Sequence, residues 1–352
     1  SMDQLYIAGD LVIPNFFQIN NINFSANYKP DPTGYEDEIQ SIFASAELSW
    51  KNQLYLTVTG RNDWDSKLAF SKQKSFFYPS VGLSALLSEM VKLPEVISYA
   101  KIRGSYTVVA SSFDRFLTNP GYEYNSQTHN WANPTVYPMD NMKPEKTKSW
   151  EIGLNLKFWG NRFNLDATYY RSNTLNQTFK VDIPSSSGYK QAIVQAGNVQ
   201  NQGLELALGF NDKWAGFGWS SNATFTLNRN KVKRLASGSV NPVTGEAIQM
   251  DEMNVGWLGK ENVAPRVILT EGGSMTDIYV YNQLTKDNNG NIKVDQNGNL
   301  GITSSNTPVK VGNLDADFNL GWTNHFTYKG IDLGVVLSAR VGGLAYSATQ
   351  GI

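Results

Sequence analysis

The chain has 352 residues, of which 30 are Lys or Arg and 31 are Asp or Glu, so its formal net charge at pH 7 is −1. This balance lacks the basic surplus of a nucleic-acid-binding protein, and the absence of cysteine excludes disulfide scaffolds, thiolate nucleophiles and cysteine-ligated metals. Although 9 Trp, 17 Tyr and 17 Phe are present, mean hydropathy is −0.36, and no apolar run reaches the roughly 18 residues of a membrane-spanning helix.

Residues 1–40 have neither the basic stretch nor the cleavage site of a signal peptide. They contain a short acidic run at Glu36, Asp37 and Glu38, which is typical of a solvated loop. We therefore predict an extracellular loop segment for 1–40.

From residue 41 onward the sequence alternates with a period of two, which indicates β-strands with one apolar face. Each predicted strand has about ten residues, longer than the globular mode of about 5–6 and sufficient to cross a bilayer at a tilt. The predicted strands cover roughly residues 41–50, 54–61, 77–88, 99–110, 150–158, 163–169, 201–210, 217–229, 316–328 and 331–342.

The connections between these strands alternate in length. Short ones fall at 51–53, 159–162, 211–216 and 329–330, with a medium one at 89–98. Long ones fall at 63–76, 111–146, 175–200 and 230–315. This asymmetry predicts an all-β, antiparallel, up-and-down transmembrane barrel with short periplasmic turns and long extracellular loops. A soluble sandwich could sort its loops in this way only by accident.

The predicted organisation follows from these segments. Eight barrel strands form a meander over 41–229, a long extracellular loop with a hairpin covers 230–315, and 316–352 contains a further barrel hairpin and the start of the next loop.

Aromatic residues flank the short turns, as expected of an interfacial girdle, although a soluble β-protein could bury them in its core. The predicted membrane girdle comprises Trp50, Tyr55, Phe158, Trp159, Phe163, Trp214, Phe217, Trp219, Phe326 and Tyr328. Charged residues occupy the alternate strand positions, where contact with lipid would cost about 2–4 kcal/mol for each basic group. These positions should therefore line a polar interior, which requires a wide barrel because about eight strands leave room only for packed side chains.

The 111–146 loop places aromatic rings among Asn, Ser and Thr, a composition that suits carbohydrate. The same composition suits a loop that folds back on itself or meets a lid protein. The candidate substrate-binding residues are Phe116, Tyr122, Tyr124, Trp131 and Tyr137.

No pattern predicts a catalytic, cofactor or metal site. His129 and His325 lie in different elements, and hydrolase, zincin and phosphate-loop motifs are absent. The repeat within 287–299 resembles part of a calcium loop but lacks the Glu at loop position twelve, and its Asn-Gly pairs are strong hairpin-turn signals. We expect a hairpin turn there and no enzyme activity.

Several motifs resemble the SusC/RagA-like family of TonB-dependent outer-membrane transporters of Bacteroidetes, in the order in which that family has them. They are GRNDW (60–64), FFYPSVGLSALLSE (76–89), ISYAKIRGSY (97–106), MKPEKTKSWEIGL (142–154), YYRSNTLNQ (169–177), PSSSGY (184–189), AGNVQNQGLEL (196–206), GNLDADFNLGW (312–322) and YKGIDL (328–333).

The resemblance implies a barrel of about 22 strands closed by an N-terminal plug, lidded by a SusD-like surface lipoprotein and energised through TonB. The implied substrates are oligosaccharides, or peptides in the RagA branch. This sequence shows no plug and no TonB box, so we interpret it as an incomplete barrel whose TonB contact lies in a missing N-terminal part. The open alternatives are a passive porin or adhesin-like barrel, and a soluble carbohydrate-binding β-domain.

Overall fold

The computed structural model describes residues 2–3, 14–15, 33–34, 36–119, 121–125, 130–139, 142–236, 239–259, 264–347 and 349. Its main feature is a sheet of ten long strands, which confirms the predicted all-β fold. In chain order these are β1 (Ile39–Trp50), β2 (Leu54–Asp65), β3 (Ser75–Leu86), β4 (Ile97–Ser111), β5 (Glu145–Phe158), β6 (Phe163–Asp182), β7 (Gln191–Trp214), β8 (Phe217–Arg234), β9 (Phe318–Tyr328) and β10 (Ile331–Val341).

Each of these strands pairs antiparallel with its neighbour in the sequence, so the sheet is a simple meander. Within the described residues β1 pairs only with β2 and β10 only with β9, so the sheet is open. Every residue of β1 and of β10 is exposed. The open sheet agrees with the predicted incomplete barrel.

Strand register separates the side chains into two faces. Ile152 stands opposite Gly104 and Tyr169, whereas its neighbour Glu151 stands opposite Ser105 and Tyr170. Successive side chains point to opposite faces of a strand, and paired residues of neighbouring strands point to the same face. The pairing therefore assigns every strand residue of the sheet to one of two faces. We call the face of Ile152 the apolar face and the face of Glu151 the polar face.

The two ends of the sheet differ. At one end the links are 51–53, 87–96, 159–162, 215–216 and 329–330, and left-handed residues such as Ala215 (φ 45°) and Gly216 (φ 88°) close the tightest of them. At the other end the links are 66–74, 112–144, 183–190 and 235–317. The short helices are α1 (Leu87–Met90) and the 3₁₀ turns Ser66–Leu68 and Ser185–Ser187. No helix in the described part of the chain is long and apolar enough to span a membrane.

The prediction of a long loop over 175–200 is wrong, because β6 continues to Asp182 and β7 begins at Gln191. Asn176 (φ 61°) and Gly197 (φ 85°) adopt left-handed backbone conformations at the same level of the ladder. The pairing register is the same on both sides of this level, so the two strands continue as one hairpin.

Beyond this level β7 is buried on both faces, since Ile193 packs in one core and its neighbours Ala192 and Val194 pack in another, whereas β6 alternates buried and exposed residues from Phe179 to Asp182. The small core comprises Leu68, Phe76, Phe113, Met142 and Ile193. The large core comprises Phe179, Val181, Ile183, Ala192, Val194, Ala196, Val199, Val232, Leu235, Ala236, Ile248 and Leu269. The apolar burial is thus concentrated at the long-loop end of the sheet.

The link between β8 and β9 contains more structure than the single hairpin we predicted. An antiparallel loop sheet consists of Glu252–Trp257, Arg266–Thr270, Asp277–Leu284 and Ile302–Asn313. Two tandem hairpins, closed by bridges 286–292 and 294–300, lie between its last two strands. The remaining short strands are Met2–Asp3, Thr33–Gly34, Glu123–Asn125, Asn130–Ala132 and Val136–Tyr137.

Candidate functional site

The polar face carries a hydrogen-bonded charge cluster at the middle of the sheet. Arg103 donates to both carboxylate oxygens of Asp166, at 3.0 and 3.2 Å, and to Thr168 Oγ1 at 2.6 Å. Asn155 Nδ2 donates to Asp166 Oδ2 at 2.9 Å. The Arg103 side chain can lie across β5 because residue 153 is glycine, where a Cβ would stand 2.5 Å from Arg103 Nε. A polar surface that is built in this way suits an aqueous or protein-filled interior.

A second polar cluster lies towards the long-loop end of the same face. Arg61 Nε donates to Asp63 Oδ1 at 2.7 Å, and the Tyr78 hydroxyl donates to Asp63 Oδ2 at 2.5 Å. Arg61 also reaches Ser41 on β1 at 2.9 Å. His325, on the same face near the short turns, lies 3.5 Å from an Asp332 oxygen. The predicted separation of charged from apolar residues is therefore present in the side-chain contacts.

Aromatic rings form a continuous row beside the short turns. Centroids are 5.3 Å apart for Trp159 and Phe163, 4.8 Å for Phe163 and Phe210, 4.8 Å for Phe210 and Trp219, and 6.1 Å for Trp219 and Phe326. We define the aromatic band as Phe158, Trp159, Phe163, Phe210, Trp214, Phe217, Trp219 and Phe326.

Three of the predicted girdle residues lie outside the aromatic band, and one residue of the band was not predicted from the sequence. Trp50 lies on the apolar face beyond the band, and Tyr328 stands opposite Phe217. Tyr55 lies on the polar face, because it stands opposite Ser49 and Ser84, so it does not share a face with Trp50. Phe210 was missed, although it is the last apolar residue of its alternation before the 211–216 link.

The 112–144 link forms a pocket of about 540 Å³ at the long-loop end. Phe116 and Tyr122 line this loop pocket and are 69% and 67% exposed. Phe116 has φ 61°, a left-handed conformation that is uncommon for a bulky residue and costs about 1–3 kcal/mol. Arg115, which also lines the loop pocket, is 3.6 Å from Asp37. Strained backbone that presents an exposed ring is typical of ligand-contacting positions.

The other candidate residues of this loop separate into different environments. Trp131 is 67% exposed and stands opposite Tyr124 in a two-stranded ladder. The Tyr124 side chain and all of His129 lie outside the described residues. Tyr137 packs edge-on against Tyr189 at 5.2 Å, beside the large core, and so serves as a packing residue.

The 287–299 repeat forms two turns of the same design, as expected for a hairpin. Asp287 Oδ1 accepts from the backbone N–H groups of Asn289 and Asn291, and Asp287 Oδ2 accepts from the Asn291 side chain. Asp295 does the same with Asn297 and Asn299. The backbone and then the side-chain bond from Asn291 lower the pKa of Asp287 below its usual value. Both carboxylates are thus engaged within their own turns.

An open antiparallel sheet of long strands, with one apolar face, one polar face and loops sorted by length, defines a segment of transmembrane β-barrel wall. The chain belongs to the TonB dependent receptor-like β-barrel family, whose model matches residues 6–350. It is therefore an outer-membrane protein, and the resemblance to SusC/RagA-like transporters is confirmed.

The relatives agree with this assignment. The chain is 25% identical to TonB-dependent receptor P3 of Formosa agariphila over 89% of this chain and 33% of that protein. It is 26% identical to TonB-dependent receptor SusC of Bacteroides thetaiotaomicron over 87% of this chain and 31% of that protein. The chain therefore spans about a third of the length of these relatives.

Solved structures show the same fold. The RagAB peptide transporter matches with a TM-score of 0.69 and 17% identity over 93% of this chain and 36% of that chain. The outer-membrane transporter YddB from Escherichia coli matches with a TM-score of 0.52 and 12% identity over 88% and 34%.

Proposed function

We propose that this chain forms part of the wall of an energy-coupled, non-enzymatic outer-membrane importer of oligosaccharides or peptides. The observation that supports this proposal most directly is the polar face, where a hydrogen-bonded charge cluster around Arg103 and Asp166 lies on one side of an open ten-stranded sheet. Ten strands already exceed the roughly eight whose closed barrel is filled by side chains, so the complete barrel has room for a large solute.

The proposed partners are a SusD-like surface lipoprotein at the long-loop end and the TonB complex, reached through other parts of the complete protein. Family membership and similarity to SusC support this arrangement. We place the aromatic band at the membrane interface near the short turns, because amphipathic rings favour the headgroup region.

The loop pocket is the proposed first contact for substrate. The exposed rings of Phe116 and Tyr122 in the pocket offer flat apolar surfaces, and hydroxyl and backbone groups beside them offer hydrogen bonds; Trp131, exposed elsewhere in the same link, offers a further ring. These features suit the C–H faces and hydroxyls of a sugar, so we place oligosaccharides ahead of peptides.

We expect Phe116→Ala to weaken substrate binding by the complete protein about tenfold, or about 1.4 kcal/mol, because it removes an exposed contact ring. Phe70→Ala is the matched control, since Phe70 is 64% exposed but lies in the 66–74 link outside the loop pocket. Titration calorimetry with the transported oligomer measures the affinity of both variants. Equal affinities of the two variants would remove Phe116 from the binding surface.

Import itself is tested with the complete gene in its source bacterium. Uptake of a fluorescent oligosaccharide should fall when the gene is deleted, return with the complete gene, and fall again when TonB is absent. A passive porin would keep its uptake without TonB, and an adhesin-like barrel would show surface binding without uptake. Either result would contradict energy-coupled import.

A further inference from the structure

A second, smaller pocket lies in the loop sheet, away from the loop pocket. It encloses about 280 Å³ and is lined by Trp257, Arg266 and Tyr281 together with apolar and amide residues. Arg266 is the one charged group among its described lining residues. We call this site the arginine pocket. Its volume lies just below the roughly 300–1,000 Å³ of a site for a drug-sized ligand, so its size suits one unit of an oligomer.

Aromatic rings hold the Arg266 guanidinium in place. Its Cζ lies 3.5 Å from the ring centre of Trp257 and 4.9 Å from that of Tyr281. Trp257 stands directly opposite Arg266 in the strand ladder, which fixes the indole beside it. At 3.5 Å the guanidinium is in direct contact with the indole ring, and arginine is the cation that stacks best on aromatic faces.

The same guanidinium has no counter-charge among the described residues. Its Nε atom is buried without a hydrogen-bond partner, and in the described part of the chain the group contacts the Trp257 and Tyr281 rings. A buried donor without a partner is costly, and a bound anion is one way in which such a donor is satisfied. The planar guanidinium matches a carboxylate, which accepts two parallel N–H bonds.

The geometry points to a carboxylate-binding subsite in the arginine pocket, which selects an acidic unit of the imported oligomer. This inference rests on the proposed import function and narrows its substrate to a carboxylate-bearing chain. A uronic-acid sugar and an acidic amino-acid residue offer the same carboxylate. A purely structural arginine, which only fastens the loop sheet by cation–π contact, would need no anion.

The test uses the purified complete protein in detergent and four probes: trigalacturonate, neutral trigalactose, triglutamate and trialanine. We expect one acidic probe to bind at least about tenfold more tightly than its neutral counterpart. A preference for trigalacturonate identifies a uronic-acid unit, and a preference for triglutamate identifies an acidic residue. Equal affinity of acidic and neutral probes for the unmodified protein would overturn the inference.

Variants connect this preference to the pocket. Arg266→Gln should abolish the acidic preference, and Arg266→Lys, which keeps the charge and most of the packing, should retain only part of it. Arg234→Gln is the control, because Arg234 is exposed at the end of β8 and its replacement removes the same charge outside the pocket. An acidic preference that persists in both Arg266 variants would also overturn the inference. Uptake of neutral oligomers alone would overturn the subsite but leave import intact, whereas loss of all TonB-dependent uptake would reject import itself.

Discussion

Replacing Gly203 with valine is expected to destabilise the complete barrel by about 3 kcal/mol, at the upper end of the usual cost of overpacking. Gly203 lies in β7 on the polar face, and a Cβ there would stand 2.6 Å from the ring atom Cζ of Tyr170 and well inside the contact distance of the Leu227 carbonyl oxygen. That oxygen belongs to the backbone of β8 and cannot rotate away, so the β7–β8 pairing must open. Heat-modifiable gel mobility measures the fraction of folded protein, and urea unfolding measures the predicted loss of stability.

Gly82→Val is the matched control for this substitution. Gly82 is also a strand glycine on the polar face, standing opposite Thr57 and Ser105, but a Cβ at this residue would have no atom within 4 Å. Valine favours strands, so the control should leave stability unchanged or slightly raised. Similar losses in both variants would mean that glycine is needed generally on this face and not for the close approach at residue 203.

A charge on the apolar face should have a comparable effect. Leu206→Arg places a guanidinium in the middle of β7 between Ala167 and Phe225, and should cost about 2–4 kcal/mol in a lipid bilayer. Ala207→Arg is the neighbouring control, because residue 207 stands between Asp166 and Thr224 on the polar face. Unfolding in lipid vesicles measures the stability of both variants. A larger loss of stability for Ala207→Arg than for Leu206→Arg would reverse the assignment of faces.

The barrel strands were predictable from the sequence because each has a local period of two. In β5, for example, Ile152, Leu154 and Leu156 alternate with Gly153, Asn155 and Lys157, and the observed register keeps these two sets apart. The extension of β6 and β7 was not predictable in this way. In β7 the run of Ala192, Ile193 and Val194 is buried on both faces and therefore shows no alternation of apolar and polar residues.

The candidate sites were only partly predictable. Composition selected Phe116 and Tyr122, which line the loop pocket and remain predicted substrate contacts, and it also selected Tyr137, which packs against Tyr189. Exposure is decided by contacts with distant parts of the chain, and composition carries no information on it. The arginine pocket was missed because Trp257, Arg266 and Tyr281 come from three separate strands, and only the fold of the loop sheet brings them together.

The central claim is that the ten-stranded sheet stands in the membrane with its apolar face to lipid and its polar face to an aqueous interior. This chain contains no cysteine, so single cysteines can be placed at positions 204 to 209 of β7 in the complete protein once any cysteine elsewhere in it has been replaced. Labelling by a membrane-impermeant maleimide and quenching by a lipid-borne nitroxide should alternate with a period of two. Positions 205, 207 and 209 should react with the aqueous reagent, and positions 204, 206 and 208 should be quenched from the lipid. Uniform aqueous labelling, or the opposite alternation, would contradict the account.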